Sequence, residues 1–439
     1  MLNQLILENI GPAPAMELRF GDRLNLLTGD NGLGKTFLLD IAWWALTESW
    51  PAEVNRKLSS GLMAKPTGNA NAKSGIQFSF SVKNGSIQCD YHFERKQQEW
   101  IGDNRVTFPG LVVYSQADGS TAIWDPTRNL VLRPDRFFQD KDPHDRPPAY
   151  VFSPEEIWNG LHDPSGKRLC NGLLADWAGW QKEQGTTIKA FEKILALLAP
   201  APDELIQIGA LTRISLTDVR DIPTLKMPYG QEVPILYASS AIRRILSLCY
   251  LLAWTWQEHS QACKLLGEPM ATQLVFLIDE MEAHLHPKWQ RSLVRSLLNV
   301  ADEIRILFPD AQVQFIATTH TPLILASMEP LFDPKQDKWF DIDLTHDSHT
   351  LPLVQLTEQP FTRRGDASNW LTSKAFDLRS GGSLEAEQVL KTASLLMESA
   401  EVDTAQVKEV EQKLHSVLGD TDPFWIRWHY ILEKKGLQP

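Results

Sequence analysis

Gly29-Asp30-Asn31-Gly32-Leu33-Gly34-Lys35-Thr36 decides the reading of the whole chain. It fits the pattern GxxxxGK[ST] at every specified position, follows the apolar run Leu24 to Leu27, and leads into Phe37 to Leu46, which reads as a helix. That context is what the pattern requires. A strand ending in a glycine-rich turn at a helix N-terminus aims backbone N–H groups inward, where the helix dipole also favours negative charge. Phosphates are the expected guests. Asp30, Asn31, Gly32, Leu33 and Gly34 supply the cradle, Lys35 reaches the β- and γ-phosphates, and the Thr36 hydroxyl is a ligand for Mg²⁺.

The second half of the chain holds the parts that such a loop needs. Gln273 to Ile278, QLVFLI, is an unbroken apolar run of the kind buried in a parallel sheet, and it ends in Asp279-Glu280. Carboxylates at the end of a buried strand are costly unless they have a task. Here Asp279 is expected to hold the Mg²⁺ shell and Glu280 to polarise the water that attacks the γ-phosphate. Val313 to Ala317 is a second apolar strand, ending in Thr318-Thr319-His320, and His320 has the character of a γ-phosphate contact. Gln116, after the strand Leu111 to Ser115, is a further candidate for the metal or the water, although a solvent-facing glutamine would look the same.

Strands are expected at Leu2 to Ile10 and Ala15 to Phe20, then at Ile76 to Val82, Ser86 to Arg95 and Leu111 to Ser115, the last three as an antiparallel sheet. Glu53 to Gly75 reads as a mobile surface loop. Ser153-Pro154 with Glu156 predicts a capped helix running to Leu161. The chain carries fifteen tryptophans, which read as fillers between lobes, since a nucleic-acid platform wants interleaved Lys and Arg. A helix over Pro287 to Leu298 puts Trp289, Leu293 and Leu297 on one face and Lys288, Arg291 and Arg295 on another. His284 and His286 near Glu282 suggest either a metal site or a structural or dimer contact, the latter fitting better.

The bulk properties narrow the class. Of 439 residues, 43% are hydrophobic and 22% charged, as in an ordinary globular protein, and the length fits two structural units. A net charge of -12 excludes a surface that is basic all over, so nucleic acid would need a local patch. The four cysteines lack CxxC spacing, which suggests neither disulfides nor zinc. Met1 to Ile10 lacks the basic start of a signal peptide, and apolar runs such as Ile245 to Trp256 fall short of a ~20-residue span. A cytoplasmic protein with no membrane contact is expected.

GDNGLGKT, LVFLIDE and FIATTH, in this order, resemble the ATP-binding-cassette type ATPases of the SMC and RecF kind. The likeness is closest to compact bacterial AAA-family ATPases without coiled-coil arms, because Asp279 to Pro287, DEMEAHLHP, is similar to their DExEaHLHP pattern. It covers roughly residues 1–325. The resemblance implies ATP and Mg²⁺, a homodimer or higher oligomer that sandwiches ATP between heads, and a signature segment completing the partner's phosphate site. Ala238 to Arg244, ASSAIRR, is the corresponding segment, so Ser239, Ser240 and Arg243 are the expected trans contacts. Ala241 stands where the family pattern has Gly, which puts efficient hydrolysis in question, and Arg243 and Arg244 read equally as a surface pair.

The fold expected is an α/β P-loop NTPase head with a mixed central sheet, an antiparallel β lobe and a helical C-terminal segment. The head spans 1–345, with a β-rich lobe at about 1–116, a Pro/Trp-rich insertion at about 117–235 and the signature-to-histidine half at 236–345. The helical domain is 346–439, where Trp425, Trp428 and Leu432 share a face expected to pack on the head. The functional expectation is an ATP-hydrolysing switch controlling a separate nuclease or toxin effector, as in anti-phage systems. The alternatives are a RecF-type repair ATPase that binds DNA directly and, fitting less well, a transporter's nucleotide-binding subunit.

Overall fold

A computed structural model describes the chain except for residues 68–72, 84, 103–106, 130–145, 202, 346–351, 379–380, 400–402 and 437–439. The chain divides into two units, Met1–Arg363 and Arg364–Pro439. The division falls beyond residue 345 because a strand the sequence reading did not place, at Leu353–Glu358, belongs to the first unit's sheet.

The first unit opens with β1 (Leu2–Glu8), β2 (Ala15–Arg19), β3 (Leu24–Gly29), α1 (Lys35–Thr47) and α2 (Pro51–Val54). It continues through β4 (Gly75–Val82), β5 (Gly85–Glu94), β6 (Glu99–Gly102), β7 (Leu111–Ser115), β8 (Thr121–Trp124) and β9 (Tyr150–Phe152). Then come α3 (Pro154–Asn159), β10 (Leu161–His162), β11 (Arg168–Cys170), α4 (Leu173–Glu183), α5 (Thr186–Leu197), β12 (Gln207–Ile208), β13 (Thr224–Lys226) and β14 (Glu232–Pro234). The last part is α6 (Ser240–Leu266), β15 (Gln273–Ile278), α7 (Pro287–Leu307), β16 (Gln312–Thr318), α8 (Pro322–Met328), β17 (Lys338–Thr345) and β18 (Leu353–Glu358).

An eight-stranded mixed sheet in the order β18-β17-β3-β16-β15-β7-β8-β9 is the frame. The strands β17, β3, β16, β15 and β7 run parallel, and β18, β8 and β9 add antiparallel edges. All six residues of β15 are buried, as expected of a strand covered on both faces. Leu111–Ser115 therefore corrects the sequence reading: β7 pairs in parallel with β15 and leaves the antiparallel sheet. Its four buried leading residues, LVVY, mark it as a central strand.

The antiparallel lobe is a separate five-stranded sheet, β2-β1-β4-β5-β6. Its strands alternate, β2 as exposed-buried and β4 with Ile76, Phe78 and Phe80 turned inward, so one face is left to cover α1. Trp44 of α1 fills that seam, stacked on Trp50 at 5.4 Å and edge-on to Tyr91 at 4.9 Å between ring centroids. These tryptophans are packing residues.

Ser153 caps α3 in a full capping box with Glu156, as its spacing predicts, though the helix stops at Asn159 and Leu161 enters β10. Between β9 and α6 the described residues hold only short elements, α5 being 12 residues long, so no coiled-coil arm is built from them. Among the described residues no helix is long and apolar enough to cross a membrane.

The second unit carries α9 (Ala367–Leu371), α10 (Leu384–Glu398), α11 (Thr404–Val417) and α12 (Phe424–Lys434). The sequence reads as a helix over Ser383 to Ala400, of which Ala400 lies outside the described residues. Trp425, Trp428 and Leu432 pack with Ala393, Met397, Val407, Val410 and Leu414, all from α10 to α12. The face expected to lie on the head is thus used inside this unit, where α10, α11 and α12 share it as their core. Trp428→Ala is expected to cost about 3–5 kcal/mol of this unit's stability, seen as lost hydrogen-exchange protection across α10 to α12.

Candidate functional site

The phosphate loop spans the end of β3 and the start of α1. Gly29 has φ +132, and a Cβ there would lie 2.1 Å from the Ile342 carbonyl oxygen on β17, so only glycine lets the loop leave the sheet at this point. Gly34 caps α1 in the left-handed region. Lys35 folds back over the loop: its Nζ donates to the carbonyls of Gly29, at 2.6 Å, and Asp30, at 2.7 Å. Burial lowers its pKa to about 8, against the opposing pull of Asp279, Asp30 and Glu280.

Asp279 ends β15 almost wholly buried, at 1% exposure. Each of its carboxylate oxygens accepts a threonine hydroxyl: Oδ2 from Thr36 Oγ1 at 2.8 Å and Oδ1 from Thr318 Oγ1 at 2.7 Å. The loop threonine and the strand-end acid expected to share a metal are therefore in contact. Mg²⁺ takes hard oxygen ligands and keeps few from protein, which suits Thr36 Oγ1 and Asp279 Oδ2 as its holders.

Glu280 has φ +44, an unfavourable angle for a side chain with a Cβ, and the turn is held by Glu280 N–H donating to Thr318 Oγ1 at 2.7 Å. His320 follows β16, half-buried. Burial lowers its pKa, and the charge of Lys35 lowers it further, while Glu280 and Asp279 pull the other way, so the ring is in the field of all three. Its backbone N–H donates to the Glu282 carboxylate. Burial raises the Glu282 pKa.

Gln116 is fully buried rather than solvent-facing. Its Oε1 accepts the Ser120 hydroxyl, which leaves that oxygen a second lone pair, and its side chain also lies against Asp40 and Tyr114. Beside it, Asp40 of α1 accepts the Tyr114 hydroxyl at 2.8 Å, and burial pushes its carboxyl up to about 7. Sequence reasoning passed over Asp40, although one acid in the apolar stretch Phe37 to Leu46 was a usable signal.

The signature candidates do not join their own chain's phosphate loop. Ser239 caps α6, its Oγ accepting from Ile242 N–H at 3.4 Å, and Ser239 and Ser240 are exposed. Arg243 lies over the Trp158 ring at 4.6 Å. Ala241 is buried at 8%, so its methyl points into the protein and away from the exposed serines. Arg244 is no surface residue. Its guanidinium donates to the carbonyls of Ala117, Gln116 and Asp279 at 3.2, 3.3 and 3.4 Å, tying α6 to both β7 and β15. Contacts to backbone oxygens have no sequence signature, which is why the reading missed them.

His286 caps α7 by accepting from Lys288 N–H, the structural role expected of it, and no group of three or more metal-ligating side chains occurs among the described residues. Lys288, Arg291 and Arg295 are exposed, and Lys288 pairs with Glu204.

Two outcomes follow from this geometry. Without nucleotide, Lys35→Met raises thermal stability at pH 7, because it removes a buried cation whose folded pKa lies below its unfolded one. The native lysine sheds its proton near pH 8 while the unfolded chain keeps it, so the wild type gains stability above pH 8 and the gap in melting temperature narrows toward pH 10. Ala241→Gly costs about 0.5–1 kcal/mol in a melt and leaves ATPase turnover within about twofold, because the methyl faces inward.

Residues 24–326 match the family described as AAA domain, putative AbiEii toxin, Type IV TA system. The Septu protein PtuA of Bacillus thuringiensis is 24% identical over 331 residues, 73% of this chain and 72% of that protein. The Retron Vc95 probable ATPase of Vibrio cholerae serotype O1 biovar El Tor is 32% identical over 116 residues, 26% of this chain, and the match spans only 20% of that relative's length. Among solved structures, the SMC head domain from Thermotoga maritima aligns with TM-score 0.40 and 13% identity, covering 82% of this chain and 99% of that one. The family match takes in β3, α1, Asp279, Glu280 and His320 together, and the chain belongs to this AAA-domain family.

Proposed function

We propose that the chain is an ATP-binding and hydrolysing switch that pairs head to head with a second copy around ATP and controls a separate effector, a nuclease or toxin, in anti-phage defence. The observation that carries it is a split site. Thr36, Asp279, Glu280 and His320 gather at one end of the sheet, while Ser239 and Ser240 stand exposed at the start of α6 without contact to that loop. A helix N-terminus with two exposed hydroxyls suits a phosphate brought by another molecule.

In this reading Lys35 exchanges its two loop carbonyls for the β- and γ-phosphates, and Thr36 and Asp279 hold Mg²⁺. The metal supplies neutralisation of phosphate charge. Glu280 orients and deprotonates the attacking water, and His320 donates to the γ-phosphate oxygens. The defence role is supported by the Septu and retron relatives.

Glu280→Gln keeps the shape of the site and removes the base. It is expected to bind ATP, hydrolyse it at least about 10²-fold more slowly, and form a long-lived dimer with ATP and Mg²⁺ in light scattering. A variant that binds ATP yet stays monomeric sinks the sandwich.

A further inference from the structure

We propose that Glu282 is a positioning residue for catalysis: its carboxylate fixes the main chain of His320 and so sets where the imidazole meets the γ-phosphate. The inference rests on the ATPase reading above and adds a residue to it.

The argument begins at Glu280. Its positive φ reverses the chain after β15, and the turn is pinned on β16: Glu280 N–H donates to Thr318 Oγ1 and Met281 N–H to the Thr318 carbonyl at 3.1 Å. The reversal brings the Glu282 side chain back to the segment that Thr318 begins. There one oxygen accepts the N–H of His320. The metal-holding acid, the base and the histidine thus sit on two strand ends joined at consecutive points: Thr318 to Asp279, Thr318 to Glu280 and Met281, and His320 to Glu282.

What His320 lacks makes Glu282 matter. Thr318 is held by its ladder and its hydroxyl, and Thr319 N–H donates to the Leu27 carbonyl at 3.1 Å. His320 lies one residue beyond, after β16 has ended, and its N–H has Glu282 as acceptor. Reacting groups misplaced by about 1 Å lose up to roughly 10²-fold in rate, so an anchor on this peptide bears on turnover more than on nucleotide binding, which the loop and Lys35 dominate. The Thr319 side chain also lies in hydrogen-bond contact with the Glu282 carboxylate, and a hydroxyl can donate to a carboxylate oxygen or accept from an amide nitrogen in its place.

Two substitutions separate reach from charge. Glu282→Asp keeps the charge but is one methylene too short for the His320 N–H, whereas Glu282→Gln loses the charge and keeps an acceptor oxygen at full reach. Steady-state ATPase kinetics are expected to show kcat down about tenfold or more in Glu282→Asp with KM for ATP within about twofold, and Glu282→Gln within about threefold of the wild type. In a His320→Ala background Glu282→Asp should remove less than about a further twofold, because it acts through the missing ring.

Wild-type kcat in Glu282→Asp, equal losses in both variants, a KM that rises in step, or full additivity with His320→Ala would each overturn the assignment. Absence of hydrolysis by the wild type defeats the ATPase reading together with this inference, while hydrolysis indifferent to Glu282→Asp defeats the inference alone.

Discussion

The structure depends on seating the Asp279 carboxyl group at the end of a fully buried strand. A polar group there is expensive, and it is tolerated because Thr36 and Thr318 bring a hydroxyl to each of its oxygens. Thr36 lies 243 residues away in sequence, at the start of α1, and Thr318 ends the neighbouring strand. Both can reach Asp279 only if β3 and β15 flank β16 in parallel and in a register that ends them together, as the pairing of Thr318 with Leu27 and of Ala317 with Ile278 provides. The order of the sheet and the chemistry of the site are one constraint.

From that point the other elements have assigned places. Because Gly29 leaves the sheet against the Ile342 carbonyl, β17 sets the position of the loop, and α1 must start at Lys35. The helix then presents Trp44 to the side where the five-stranded lobe closes over it with Phe78, Tyr91 and Trp100, and Trp43 to Tyr114 of the central sheet. Buried aromatic area holds the helix, and the helix holds the loop. The lobe therefore acts on the site through α1 and contributes none of the catalytic candidates.

What the sequence made legible was local. GDNGLGKT, QLVFLIDE and FIATTH each carry strand, turn and candidate site residue within about ten positions, and their strands and turns form where the patterns implied. Contacts that depend on partners far along the chain were not legible: the apolar run of β7 looks the same whether its neighbour is parallel or antiparallel, and Trp425, Trp428 and Leu432 mark a buried face without saying what covers it. Glu282 and Arg244 were hidden for a related reason. One works by way of the positive φ of Glu280 and the other through carbonyl oxygens, and neither feature is written in residue type.

Arg244 also gives α6 a mechanical meaning. Ser239 and Ser240 begin the helix at the surface, and four residues on from Ser240 the Arg244 guanidinium grips the carbonyls of Gln116 and Asp279. Burial lowers its pKa and Asp279 opposes that, so the arginine is held by hydrogen bonds beside Asp279. Ala241, buried in the first turn, seats the helix start on the protein and leaves Ser239 and Ser240 exposed.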